Sequence, residues 1–198
     1  MKSLIKFLFK KIGLYQPTVR LLIFLETYPL SQLIDNIKMT LAGSKIIMPP
    51  AKLRHLVSGN YSIRWFTNTG ENSLKSLTNI LEKQNLNLAD MDSVLDFGCG
   101  CGRVIQQVHT VNKNKLLGCD YNPLLINWCH EKLTYATFYT NNLTPPLTYE
   151  NDSFELVYMF SVFTHLTVEQ HDEWLTELHR VIKPNAYLIL STHGPDYR

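Results

Sequence analysis

A chain of 198 residues with 45% hydrophobic and 18% charged residues can bury a substantial core, which excludes a disordered or fibrous protein. The formal net charge of +2 is too small to signal a nucleic-acid partner. No run approaches the roughly 20 apolar residues that span a bilayer, and the apolar runs at 4–9 and 21–25 lack the cleavage site of a secretory signal.

The first 48 residues read as a helical extension ahead of a domain covering 49–198. Lys2, Lys6 and Lys10 recur every fourth residue while Leu4, Ile5, Leu8 and Ile12 fall largely on another face, the pattern of a basic amphipathic helix. Such a helix suits weak contact with an anionic membrane surface, and equally a terminal helix folded onto the domain with its lysines in water. Pro17 and Pro29 break this region, and Ser31 is placed to cap the segment that follows. After Pro49-Pro50 a short helix should hold Leu53, Arg54 and Val57, and after Gly70 a longer one should carry Leu74, Leu77, Ile80 and Leu81.

From residue 94 strands and helices alternate. Strands are expected at 94–97, 116–119, 136–140, 154–160 and 186–191, and helices at 103–111, 123–133 and 167–182. Asn122 with Pro123 opens the second of these helices, Thr167 with Gln170 caps the third in capping-box spacing, and Lys183-Pro184-Asn185 is expected to end it. Strict alternation implies an α/β, Rossmann-like sheet, mostly parallel, with helices on both faces.

The segment Val94-Leu95-Asp96-Phe97-Gly98-Cys99-Gly100-Cys101-Gly102-Arg103 places three glycines between a strand and a helix. Glycines let the backbone turn sharply against a ligand, and the helix behind them presents unpaired N–H groups. The dinucleotide fingerprint wants a glycine where Arg103 stands, which weighs against a dinucleotide-dependent oxidoreductase. Asp96 would repel a pyrophosphate but favour an amino-acid ammonium group. Asp120 ends the second strand 22 residues after Gly98, close to where a carboxylate binds ribose hydroxyls, and Tyr121 beside it can stack on adenine. Capping of the next helix is the competing role for Asp120.

These residues resemble the first motif of class I S-adenosylmethionine-dependent methyltransferases, whose form is that of Asp96-Phe97-Gly98-Cys99-Gly100-Cys101-Gly102. The resemblance runs from Val94 through the last strand. Ile47-Met48-Pro49-Pro50 with Leu53, Arg54 and Val57 is similar to the lead-in of a bacterial subgroup often met beside sugar-modifying enzymes. It implies S-adenosylmethionine as cofactor, with Asp96, Gly98, Cys99 and Gly100 at its methionine part, Asp120 at the ribose and Tyr121 flanking the adenine. Asn142 and Leu143 fall where the family contacts the adenine edge, although an Asp is commoner there than this Asn, and Ser161 falls where cofactor and acceptor meet. The family fold has two further strands after the fifth. Their absence here is expected to leave residues 186–191 as an exposed edge and the protein shortened, so that cofactor binding without turnover stands beside methyl transfer as a reading.

Methyl transfer to a small-molecule or sugar hydroxyl asks chiefly for alignment and exclusion of water, and His165 is the candidate base for the hydroxyl proton. A histidine packed at the helix entrance, bonded to backbone near Thr167, is the alternative for that position. Phe160 is expected in the core and Phe163 on the pocket wall, while Arg54, Arg64 and Trp65 are candidates to cover the cofactor or hold the acceptor. The four cysteines, Cys99, Cys101, Cys119 and Cys129, lack the paired Cys-x-x-Cys spacing of a zinc site and suit a reducing cytoplasm.

Overall fold

The computed structural model describes residues 45–192, with Ile37, Leu41 and Gly43 as isolated positions before them. The expected basic N-terminal helix, its proline breaks and the Ser31 cap lie outside the described residues. The chain divides into two units, Met1–Ile63 and Arg64–Arg198, and each is described by itself.

In the first unit, helix α1 (Ala51–Ser58) starts directly after Pro50 and ends at Gly59, whose φ of 65° lets its N–H close onto the His55 carbonyl. Arg54, a candidate to cover a ligand, instead turns its guanidinium onto the carbonyls of Pro49 and Tyr61. It ties the ends of its own helical segment together.

Helix α2 (Ile63–Glu82) leads the second unit and corrects one expectation, because it starts seven residues before Gly70 and runs through it. Glycine is there for contact rather than as a break: a Cβ at Gly70 would stand 2.7 Å from the backbone oxygen of Arg103. Gly→Ala inside a helix ordinarily gains about 1 kcal/mol. At Gly70 the sign should reverse, to a loss of about 1–3 kcal/mol, since a carbonyl of the main chain has to move. A denaturant midpoint for Gly70→Ala above that of the parent protein would refute this packing.

Five strands follow: β1 (Ser93–Phe97), β2 (Lys115–Asp120), β3 (Thr137–Thr140), β4 (Phe154–Met159) and β5 (Ile182–Leu190). Helices α3 (Ile105–Val111), α4 (Pro123–Lys132) and α5 (Val168–Val181) join them. The order is β3-β2-β1-β4-β5 with every described pair parallel, as strict alternation requires. The chain moves outward in one direction from β1 through β3 and in the other from β4 to β5. Right-handed crossovers then place α3 and α4 on one face and α5 on the other. The direction reverses between β1 and β4, and beyond the carboxyl ends of strands at such a switch the sheet opens into a crevice.

Alternate residues sort the two faces. Leu95, Phe97, Leu117, Val157 and Met159 pack with Trp174, Leu178 and Val181 of α5 in one buried cluster. Phe163 belongs to this cluster and is 7% exposed, whereas Phe160 is half-buried, the reverse of the roles expected for the two rings. A turn after β4 folds Phe163 back onto the sheet, where His171 stacks on it at 4.8 Å.

The local signals for helix starts hold. Asn122 accepts from Leu124 N–H at 3.0 Å, and Thr167 and Gln170 bond reciprocally as a capping box. The end of α5 differs, because strand begins at Ile182 without a loop and Lys183-Pro184-Asn185 lies inside β5. Phe154 pairs with Ile182 but Leu156 with Tyr187, so the proline and the left-handed Asn185 (φ 62°) sit in a bulge. Among the described residues β5 lies at one edge of the sheet, as expected.

Candidate functional site

All five residues of β1 are buried, and the fourth is a carboxylate. Each apolar side chain buried in such a strand stabilises the fold by about 1.5–3 kcal/mol, whereas a buried carboxylate without partners acts against it. Asp96 is 3% exposed and its Oδ2 has no hydrogen-bond partner. Its neighbour on β2 is Gly118, which adds no side chain, and its neighbour on β4 across the switch point is Tyr158. The Tyr158 hydroxyl is likewise buried and approaches the carboxyl without closing a hydrogen bond. Burial raises the Asp96 carboxyl from the ordinary 3.8 to about 7, with Tyr158 and the Arg103 guanidinium opposing the rise and the Asp120 charge adding to it.

The glycine bend follows at once. Gly98, Gly100 and Gly102 adopt φ of 74°, 56° and 76°, a left-handed backbone that side chains resist. The amides of Gly98 and Cys99 both donate to the Cys119 carbonyl, at 2.8 and 2.9 Å, which hooks the bend over the end of β2. Two contacts explain the outer glycines: a Cβ at Gly98 would meet the Val162 side chain at 2.4 Å, and one at Gly102 would meet Leu133 at 2.4 Å. Val162 brings the 161–165 segment against the bend.

Asp120 is the second carboxylate, 8% exposed. One oxygen accepts from Gly100 N–H at 2.9 Å and the other from Asn122 N–H at 2.9 Å. Burial raises its pKa, and these two amides work against the rise. The helix-cap role belongs to Asn122, so Asp120 is left to hold the bend, with lone pairs on both oxygens still open to hydroxyl donors.

Beyond β3 a small cleft of about 40 Å³ is lined by residues that include Cys119, Asn141, Asn142 and Tyr149. Two buried polar atoms of that lining, Asn141 Oδ1 and the Tyr149 hydroxyl, lack hydrogen-bond partners. Asn142 thus stands in the cleft as expected, while Leu143 lies outside its lining and Tyr121, after Asp120, is exposed. Asn141 and Tyr149 were not legible as site residues. A larger groove of about 450 Å³ at the other end of the strands, lined by Asn87, Asp90, Glu155 and Lys183 among others, has none of these orphaned atoms. Its charged pair, Glu155 and Lys183, is satisfied internally at 2.9 Å.

Ser161 follows β4 in a left-handed conformation (φ 63°), a strained choice for serine, and its N–H donates to Ser191 Oγ at 2.8 Å. That link joins the tips of β4 and β5, and no local sequence signal marks Ser191 for it. His165 closes a short 3-10 turn four residues on, exposed, on the same segment as Val162. The histidine packed at the helix entrance is His171, whose Nε2 lies 2.8 Å from the Phe163 carbonyl oxygen. Trp65 stacks over Arg103, with 5.6 Å from the guanidinium carbon to the ring centroid, and Arg64 is exposed. The four cysteines are buried and free, with Cys99 and Cys129 both donating to the Gly100 carbonyl, at 3.7 and 3.6 Å. Burial pushes the Cys99 and Cys119 thiols up, so they act as packing for the bend rather than as nucleophiles.

The site therefore offers, in order across the strand ends, a buried acidic acceptor, a backbone bend, a carboxylate open to hydroxyls and a cleft with orphaned polar atoms. This donor and acceptor set suits the amino-acid and ribose parts of S-adenosylmethionine, with an acceptor for an ammonium at Asp96 and acceptors for hydroxyls at Asp120.

Comparison with known proteins gives the same segment. A family described as a methyltransferase domain matches residues 94–185. Among solved structures, a protein from Pyrococcus horikoshii OT3 is similar at 22% identity, with a TM-score of 0.45 over 49% of this chain and 47% of its own. An S-adenosylmethionine-dependent methyltransferase from Mesorhizobium loti is similar at 21% identity, with a TM-score of 0.49 over 56% and 50%. A TehB-like methyltransferase from Corynebacterium glutamicum gives 21% identity and 0.47, over 62% and 72%. The chain spans about half the length of the first two.

Proposed function

We propose that this chain, similar over residues 94–185 to a family described as a methyltransferase domain, is a class I methyltransferase that binds S-adenosylmethionine and transfers its methyl group to a hydroxyl of a small molecule or sugar. The observation that carries the reading is the buried, unpartnered Oδ2 of Asp96 beside a glycine bend. An unpaired carboxylate there repels phosphates and rewards an ammonium group. The sugar-type acceptor is supported by the lead-in around Pro49, Pro50 and Arg54, and a reducing, cytoplasmic location by four free thiols. Among the described residues no helix is long and apolar enough to cross a membrane.

When bound, S-adenosylmethionine supplies a methyl already activated on a sulfonium. The chain's own part is alignment. Asp96 holds the amino-acid end, Asp120 fixes the ribose while anchoring the bend through Gly100, and Asn141, Asn142 and Tyr149 receive the adenine. Val162, seated on Gly98, limits water at the bend. His165 takes the proton that the acceptor hydroxyl sheds.

Calorimetric titration with S-adenosylmethionine, S-adenosylhomocysteine and NAD tests the cofactor. Binding of the first two and not of NAD is expected, and the opposite pattern ends the reading. An acceptor panel with radiolabelled methyl then separates turnover from binding alone. His165→Gln is expected to lower kcat by about 10²-fold or more with unchanged cofactor Kd. An unaltered kcat removes the base from His165.

A further inference from the structure

We infer that Ser191, at the tip of β5, is a positioning residue: its hydroxyl holds Ser161 in a left-handed turn, and that turn sets where Val162 and His165 stand. The consequence for ligand rests on the cofactor reading above, whereas the placement of the turn does not.

Four non-glycine residues among the described ones take a left-handed backbone, and three of them, Asn85, Asp152 and Asn185, are of the types that tolerate it. Ser161, at φ 63°, is the fourth, and a serine keeps this conformation only where its surroundings enforce it. Two hydrogen bonds do so. The Ser161 N–H donates to Ser191 Oγ at 2.8 Å, and its carbonyl accepts from Thr164 Oγ1 at 2.9 Å. Thr164 belongs to the turn itself, so Ser191 is the hold from outside. Its backbone is fixed in turn, because the Ser191 N–H donates to the Met159 carbonyl at 3.1 Å, one step past the last paired residues, Met159 and Leu190. The hydroxyl is thereby delivered by the sheet rather than by a loop.

The left-handed residue turns the chain back after β4. Val162 comes so close to the bend that a Cβ at Gly98 would stand 2.4 Å from its Cγ2. Its carbonyl accepts from the His165 N–H at 3.0 Å, so the residue proposed as base inherits the same placement. Phe163, in the core cluster, anchors the middle of the segment independently. Loss of the Ser191 hydroxyl should therefore loosen the turn from its first residue without unfolding the domain.

The alternative is that Ser191 only closes the end of the sheet, so that its loss lowers stability and leaves the turn in place. Amide hydrogen exchange on the full, ligand-free chain separates the two. The His165 amide is the reporter, since Ser191 does not touch it, and the amides of α5 are the reference. Ser191→Ala should speed exchange at His165 by roughly 3- to 10-fold, the worth of one neutral hydrogen bond, while Ser191→Thr, which keeps the hydroxyl, should retain the parent's rate. In a Ser161→Gly background Ser191→Ala should have almost no effect, because glycine takes the left-handed turn unaided. The dissociation rate of S-adenosylhomocysteine should rise in Ser191→Ala by a similar factor and follow the same pattern of rescue. A Ser191→Ala protein with a lowered denaturant midpoint but the parent's His165 exchange overturns the inference, as does an equal effect of Ser191→Ala with serine or glycine at 161. Failure of the parent protein to bind S-adenosylhomocysteine overturns the cofactor reading and leaves exchange to decide the role of Ser191.

Discussion

Asp96→Asn should make the ligand-free protein more stable at pH 8 while removing most of its cofactor affinity. The carboxyl titrates at about 7 in the folded chain against an ordinary 3.8, with burial the leading cause. A carboxyl raised in this way favours folding most below 3.8, where both states are protonated, and the fold loses stability as pH rises toward 7. The full cost of ionising it is roughly 4 kcal/mol, from 1.36 kcal/mol per pKa unit. Asparagine keeps the shape and removes the charge, so the gain should approach that figure at pH 8 and shrink as pH falls toward 4. The same replacement removes the negative charge that the ammonium pairs with, and the loss of that charged hydrogen bond is worth about 1.5–3 kcal/mol, or roughly 10- to 100-fold in Kd. Denaturant midpoints at pH 5 and 8, with titration of S-adenosylhomocysteine at pH 8, measure both. An Asn variant that is less stable at pH 8, or that binds as well as the parent, contradicts the role.

That opposition is the expected signature of a binding residue, since a group kept at a cost to the fold has to be used elsewhere. It also sets a pH dependence for binding in the parent protein. Affinity should rise as Asp96 ionises through about pH 7 and decline again at the higher pH where the ligand ammonium loses its proton.

What the sequence disclosed was what short-range chemistry decides. Apolar runs at strand spacing, the Thr167 and Gln170 capping box, Asn122 before Pro123 and the three glycines after Asp96 each act within a few residues, and each is found where expected. Gly70 misled because its meaning lies 33 positions away, in the carbonyl of Arg103. Lys183-Pro184-Asn185 reads as a terminator by composition, but pairing with β4 absorbs it as a bulge. Phe160 and Phe163 exchanged roles because a turn, rather than strand alternation, decides which ring faces Trp174. The part of Tyr158 is hidden in the sequence for a similar reason: it matters through Asp96, a neighbour only in the folded sheet. A tyrosine in the middle of an apolar strand was the available hint, since a buried hydroxyl ordinarily has a partner.

The second large effect is expected at Glu177, on α5 and outside every motif. This carboxylate is 6% exposed and accepts from Leu147 N–H at 2.6 Å and from Arg180 Nε and Nη2 at 2.9 and 2.5 Å. Arg180 in turn donates to the carbonyls of Leu147 and Tyr149 and to Asn151 Oδ1. The pair thereby holds the 147–151 segment whose Leu147, Thr148 and Tyr149 line the cleft beyond β3, the proposed place of the adenine. Glu177→Ala leaves a buried amide and a guanidinium without their acceptor, a loss of about 3 kcal/mol, at the low end for a buried pair because Arg180 is partly exposed. Glu177→Gln keeps one acceptor oxygen and should lose less. The sign with pH is opposite to that of Asp96. Arg180 lowers the Glu177 pKa below the ordinary 4.5, so its stabilisation is complete above 4.5 and disappears as pH falls through the folded value. Acidification from neutrality should therefore first stabilise the ligand-free protein, as Asp96 takes up its proton, and then destabilise it as Glu177 does. Glu177→Ala should weaken that acid limb and lower affinity for adenosine alone. A Glu177→Ala variant with the parent's acid limb and undiminished adenosine binding would show that this pair supports neither the fold nor the cleft.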